Sequence, residues 1–215
     1  MIKARSSLIA NKSENKLVAN FDDLVKKVTP GIEYQLQEYI DKDYELLLPW
    51  CALPNGEVID SGVLRKFRQY PWNKGGTSYA ILEDSTKYPE VDKESVKRLV
   101  NKVGYSGLFS VEFAVKDGRA YFLEMNVRND ATGYVVTHAG LNLPFIWYQS
   151  VTGKEFDIPE CKYPTYMMAD DVDYKNVKER KITGSEWVED YSKTDCFLLY
   201  NKKDPLPYIN FIQNE

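Results

Sequence analysis

Four polar side chains fall close together in the stretch SVEFAVKDGRAYFLEMNVRND, residues 110–130: Glu112, Glu124, Asn126 and Arg128. Two carboxylates and an amide oxygen are hard oxygen ligands, the kind that hold Mg²⁺ jointly with phosphate groups. An arginine two residues further along can grip the same anion with its forked guanidinium. Carboxylates brought within about 5 Å of each other repel unless a cation or a proton lies between them. The chemistry on offer is divalent-ion binding, and it requires these side chains on one side of one structure.

A β-hairpin is the element that can do this. Side chains alternate faces along a strand. Phe109, Val111, Phe113 and Val115 form an apolar odd set, and Tyr121, Leu123, Met125 and Val127 form a second one. Directly opposed residues of an antiparallel pair share a face, so both apolar sets meet only if odd pairs with odd. A two-residue Asp117-Gly118 turn would pair 116 with 119 and break that parity. The pattern therefore predicts a three-residue loop, 116–118, with Gly118 left-handed. Glu112, Glu124, Asn126 and Arg128 then share the opposite face. The residues by themselves leave two readings: the polar face of a half-solvated sheet, or an ion site. Asn126 inside a strand, where Asn is disfavoured, favours the second.

The surrounding elements follow from caps, periods and breakers. Ile2-Lys3-Ala4 reads as a strand met in progress, which suggests a chain that starts inside a domain, as a truncated or split product would. Asn20 caps a short helix with Asp22 and Asp23 in its first turn and Lys26 and Lys27 in its last, ended by Thr29-Pro30-Gly31. Residues 32–40 are β-rich. A strand rises from the polar turn at 41–43 and runs to 53, and Pro54-Asn55-Gly56 turns it back into 57–70. Asp92 caps a helix on which Val96, Leu99, Val100 and Val103 recur at helical spacing, and Gly104 stops it. Two short helices follow the hairpin, with Pro144 early in the second. Strands and helices mix without strict alternation, which implies an α+β fold with an antiparallel sheet flanked by helices.

Bulk properties narrow the function classes. The 215 residues carry a net charge of −4, so nothing indicates a nucleic-acid partner, which calls for a basic excess. The three cysteines, Cys51, Cys161 and Cys196, are far apart and there is one histidine, so a Cys/His zinc site and a disulfide framework are both disfavoured. No signal-peptide core and no 18-residue apolar run is present, and the expected setting is a reducing cytoplasm without membrane association. His138 reads as a packed helix residue. The acidic run Asp170, Asp171 and Asp173 lacks the spacing and glycine of a calcium loop and reads as a solvated turn.

The segments SVEF and FLEMNVR resemble the ATP-grasp superfamily, whose metal ligands come as a Glu on one strand and a Glu-x-Asn on the next, with an Arg two residues on. LRKFRQYPWNKGGTSY resembles an R-x-R-Q-Y-P stretch of carboxylate–amine ligases in that superfamily, a group that includes D-aspartate-ligase-like members and carbamoyl-phosphate-synthase-like relatives. The resemblance runs from about Lys3 to Gly153.

It implies ATP and Mg²⁺ (or Mn²⁺) as cofactors, and small-molecule carboxylate and amine substrates joined through an acyl phosphate. It implies Glu112, Glu124 and Asn126 as metal ligands and Arg128 as the catalytic arginine that steadies phosphates. Lys3 matches a phosphate-contacting lysine, and Gln37, Glu38, Tyr39 and Ile40 match the linker that reads adenine. Glu45 matches the acid on the ribose hydroxyls, and Arg65 and Lys66 add positive charge near the phosphates. The implied organisation is a remnant of a first lobe in 1–40, a second lobe with the metal site in 41–154, and a C-terminal extension in 155–215 acting as lid or interface. The expected partners are a second copy of the chain or an upstream N-terminal domain. The sequence departs from the family in lacking that upstream domain and in the glycine-free stretch SSLIANKSENK after Lys3. Those departures keep a second function open, a nucleotide-binding or regulatory module without turnover; a plain structural α+β domain is a third.

Overall fold

The computed structural model describes residues 1–4, 16–73 and 75–214. Residues 6–15 of the glycine-free stretch after Lys3 lie outside them. The chain divides into two compact units, Met1–Asp41 and Lys42–Glu215.

In the first unit, strand β1 (Ile2–Ala4), helix α1 (Phe21–Lys27) and strand β2 (Tyr34–Leu36) are joined by local bonds. Asn20 caps α1 as its residue type requires, its side-chain oxygen accepting from the Asp23 amide at 2.9 Å. β1 and β2 pair antiparallel with Lys3 opposite Gln35, and Ile2 is buried.

The second unit is built on one eight-stranded sheet. Its elements in order are β3 (Tyr44–Ala52), β4 (Val58–Ile59), β5 (Val63–Tyr70), β6 (Gly76–Glu83), a 3-10 turn at Ser85–Lys87, α2 (Lys93–Lys102), β7 (Gly107–Lys116) and β8 (Arg119–Asn126). There follow α3 (Gly133–His138), α4 (Leu143–Val151), β9 (Thr165–Met168), α5 (Asp170–Asp173), α6 (Lys175–Lys178), α7 (Gly184–Lys193), β10 (Cys196–Phe197) and α8 (Leu206–Asn214). The strand order is β10-β9-β6-β5-β3-β7-β8, with β4 pairing β3. Every pair is antiparallel except β10 with β9, so the sheet is mixed at that edge.

Alternation on β3 explains why the sheet is central. Leu46, Leu48 and Trp50 point to one face, where α2 packs Val96 and Val100 against them together with Phe109, Val111 and Val115. Leu47 and Cys51 point to the other, under Val135, Val136, Leu143 and Ile146 of α3 and α4. That second face is apolar at one end only, and beyond Leu47 it turns polar. Only half of the helical stripe on α2 is used: Leu99 and Val103 stay exposed, because α2 meets the sheet along the Val96–Val100 line.

The hairpin closes differently from the expected three-residue loop. Lys116 pairs with Arg119, so the turn is the two-residue Asp117-Gly118, with φ of 50° and 70°. Positive φ at both central positions is the type I′ geometry whose twist matches that of the flanking strands. Parity is restored inside β8 instead. Phe113 faces Phe122 but Glu112 faces Glu124, so Leu123 is an extra, bulged residue. The parity argument holds for the residues beyond the bulge, and the bulge does the work assigned to the loop.

Residues 155–215 supply β9 and β10 to the main sheet. Their aromatics stack in a chain, Trp187–Tyr191–Phe197–Tyr200–Tyr208, with ring centroids 4.5–5.8 Å apart. The acidic run is not the solvated turn expected from its composition. Asp170 is buried and accepts from the Leu199 and Tyr200 amides, both at 2.9 Å. Asp173 is fully buried beside Arg68. Long-range partners satisfy these carboxylates, and local spacing cannot show them. No described helix is long and apolar enough to cross a membrane.

Candidate nucleotide and metal site

Three antiparallel neighbours set the site's rows. Glu45 of β3 lies between Lys66 of β5 and Ala114 of β7; one row on, Leu47 lies between Leu64 and Glu112. Glu112 in turn faces Glu124 of β8, and Ser110 faces Asn126. Glu112, Glu124 and Asn126 therefore share the face that also carries Glu45 and Lys66, as the alternation required. Glu124 is exposed and Asn126 half-buried at the sheet's edge, while Glu45 and Lys66 are buried.

At the centre of this face the Lys66 ammonium donates to Glu45 Oε2 at 2.9 Å and to Glu112 Oε2 at 2.6 Å. Lys42 reaches Glu45 Oε1 at 2.5 Å, and Gln69 Nε2 donates to Glu45 Oε2 at 2.9 Å. Burial by itself would raise Glu45, but the two ammoniums outweigh it and hold its carboxyl below the usual carboxylate range. Burial likewise opposes the charge on Lys66, but Glu45 and Glu112 overcome it and raise the ammonium's pKa above the ordinary lysine value.

Two polar residues here escape a reading of the sequence. Lys42 sits three positions before Glu45 in a charged turn that reads as plain surface. Gln69 has the opposite parity to Lys66, and reaches the same carboxylate because Phe67 and Ser78 are bulged out of the β5–β6 register. No periodicity argument places Gln69 there. A third anchor is Asp130: Ser110 Oγ donates to its Oδ2 at 2.6 Å, and its Oδ1 accepts from the Thr132 and Gly133 amides at the start of α3. The end of β8 that carries Asn126 is thereby fixed to the sheet opposite it.

Arg65 does not join the site. Its neighbour Lys66 faces inward, so strand alternation sends Arg65 to the other face, where its guanidinium lies over the rings of Tyr44 (4.7 Å) and Phe67 (5.9 Å). Arg128 is exposed, two residues past the end of β8. In the first unit Lys3 is half-buried on β1, and Gln37 to Ile40 run without regular structure after β2. The backbone amide of Gln37 donates to the Met1 carbonyl at 2.9 Å, and its carbonyl accepts from the Met1 amino group at 2.8 Å. His138, expected to pack, is exposed in the last turn of α3.

The donor set suits a hard divalent cation. Glu112 and Glu124 are directly opposed, Asn126 adds an amide oxygen on the same face, and the structure already holds a cation on this group, the Lys66 ammonium on Glu112.

No protein-family profile matches the chain. Among curated proteins it is similar to the formate-dependent phosphoribosylglycinamide formyltransferase of Prochlorococcus marinus (strain NATL1A), 28% identical over 134 residues, which is 60% of this chain and 33% of that protein. The chain thus spans a third or less of the length of the curated relatives it matches. Among solved structures it resembles N5-carboxyaminoimidazole ribonucleotide synthetase from Thermus thermophilus, with a TM-score of 0.63 at 16% identity, covering 85% of this chain and 50% of that one. The N5-carboxyaminoimidazole synthetase from Staphylococcus aureus, solved with ADP, gives a TM-score of 0.63 at 19% identity, covering 86% and 49%.

Proposed function

We propose that this chain, which has the ATP-grasp fold of carboxylate–amine ligases, binds Mg-ATP and forms part of an ATP-dependent ligase that joins a carboxylate to an amine. The observation that carries this reading is the direct opposition of Glu112 and Glu124 across β7 and β8, with Asn126 on the same face. The solved relative with ADP supports a nucleotide ligand for this fold.

In this reading Glu112, Glu124 and Asn126 hold the magnesium ion, which when bound neutralises phosphate charge. Lys66 supplies a second positive charge on that face. Arg128, exposed and unencumbered by a described ion pair, is placed to grip a phosphate or the acyl phosphate formed when a substrate carboxylate takes up the terminal phosphoryl group. An amine then displaces phosphate to give the amide. The protein's contribution is positioning and fixed charge, because phosphoryl transfer asks for little covalent help. Glu45, already shared by Lys42, Lys66 and Gln69, orients the two lysines and remains the proposed ribose contact. Lys3 and Gln37 to Ile40 are the proposed nucleotide contacts of the first unit.

The test is a calorimetric titration of Mg-ATP into the wild-type chain and the Glu124→Ala variant. Glu124 is exposed, so its removal should leave the fold intact and weaken Mg-ATP binding at least tenfold. Equal affinity in the two proteins would remove the assignment.

A further inference from the structure

We infer that Lys66 is the resident counter-ion of Glu112, and that a divalent ion takes Glu112 only by breaking the Lys66–Glu112 contact, which frees the ammonium for the polyanion that arrives with the metal. This rests on the reading of Glu112, Glu124 and Asn126 as the metal ligands, and it adds an order of events and a coupling that the ligand set does not contain.

The contacts are unequal in a way that makes Lys66 displaceable. Glu45 has three cationic or donor partners, Lys42, Lys66 and Gln69, so it keeps two when Lys66 moves. Among the described residues, Glu112 has a single side-chain partner, Lys66 at 2.6 Å. The Lys66 side chain is only 4% exposed, so water does little to screen what happens around it. A magnesium ion bound at about 2.1 Å from that carboxylate would lie within about 5 Å of the ammonium if the lysine stayed. Two cations that close in a buried setting repel strongly.

The displaced charge shows which ligand suits the site. Three carboxylates, Glu45, Glu112 and Glu124, face two ammoniums, Lys42 and Lys66. A lone divalent ion takes Glu112 from Lys66 and leaves the ammonium without that counter-ion beside a second cation. A polyphosphate arriving with the metal supplies the ammonium with a new one. The arrangement opposes metal alone and favours metal with an anion, and such coupling is reciprocal between the two ligands.

The experiment measures free Mn²⁺ by electron paramagnetic resonance in titrations of the full chain, with and without ATP. Lys66→Met should bind Mn²⁺ alone at least tenfold more tightly than wild type and Mn²⁺ with ATP more weakly, so that the coupling shrinks. Glu124→Ala is the control on the site itself. If Glu124→Ala abolishes Mn²⁺–ATP binding while Lys66→Met leaves the Mn²⁺-alone affinity within twofold of wild type, the ligands stand and the counter-ion role is overturned. If Glu124→Ala binds Mn²⁺–ATP as wild type does, both fall. A second readout needs no variant. Amine labelling of Lys66 in the wild-type chain, followed by mass spectrometry, should rise severalfold on saturation with Mn²⁺ alone, and an unchanged rate also overturns the inference.

Discussion

Asp173→Ala removes the acceptor that ties the C-terminal segment to β5. Asp173 is fully buried and accepts from Arg68 Nη2 at 2.7 Å and Nε at 3.1 Å, from Ser78 Oγ at 2.6 Å and from Asn176 Nδ2 at 3.3 Å. Breaking a buried ion pair from one side typically costs about 3–5 kcal/mol, because the remaining charge is left uncompensated. Arg68 keeps Asp190, which pulls the cost toward the lower end. Ser78 and Asn176 each lose an acceptor in a place where water cannot replace it, which pulls it back up. The Asn176 side-chain oxygen already lacks a partner among the described residues, so this cluster has no slack. The expected loss is about 4 kcal/mol, a large share of the roughly 5–15 kcal/mol that holds a domain folded. Urea unfolding followed by circular dichroism reads it directly. The double variant Arg68→Met, Asp173→Leu should lose less than Asp173→Ala, since the one charge it leaves unpaired, on Asp190, has its side chain 24% exposed and can take up water. A loss below about 1 kcal/mol for the single variant, or a double variant that is worse than it, refutes the argument.

Three further outcomes follow from the same geometry. Glu45 is held below its usual 4.5 by its lysines, so its stabilisation is present above that value and is lost as pH falls through the lowered folded value. Lys66 is held above its usual 10.5, so its share is present below that value and is lost as pH rises through the raised one. Urea midpoints measured against pH should show both limbs, with a shallower acid limb in Glu45→Gln and a shallower alkaline limb in Lys66→Met; unchanged limbs would mean the cluster is not coupled to folding. Gly118→Ala forces a Cβ into a left-handed turn position at φ 70° and should cost about 1 kcal/mol in the same assay, whereas a neutral effect would mean that Gly118 is not left-handed.

Much of the candidate site can be read from residue order because strands alternate with a period of two. That rule, joined to the matching of the two apolar sets, puts Glu112, Glu124 and Asn126 on one face, and it also separates Arg65 from Lys66, a consequence that proximity in sequence obscures. Helix starts are legible for a similar local reason: Asn20 and Asp92 cap the helices their positions announce, each bonding the amide three residues on. What stays hidden depends on bulges or on distance. The bulge at Leu123 carries no turn-type residue, so the pattern assigns parity to the loop, and the bulge at Phe67 is what brings Gln69 to Glu45. The burial of Asp173 depends on Arg68, 105 residues away, and no window of local sequence contains both. The same holds for β9 and β10, short strands whose place in the sheet is set by β6 and not by their own pattern.

The central claim is that the opposed acids of β7 and β8, with the amide that follows, converge on one divalent ion. Anomalous diffraction from crystals soaked with Mn²⁺ and a non-hydrolysable ATP analogue tests it most directly. The account predicts a manganese peak within about 2.5 Å of oxygens from both Glu112 and Glu124, with Lys66 withdrawn from Glu112. A peak elsewhere, or a bound nucleotide whose metal touches neither carboxylate, would contradict it.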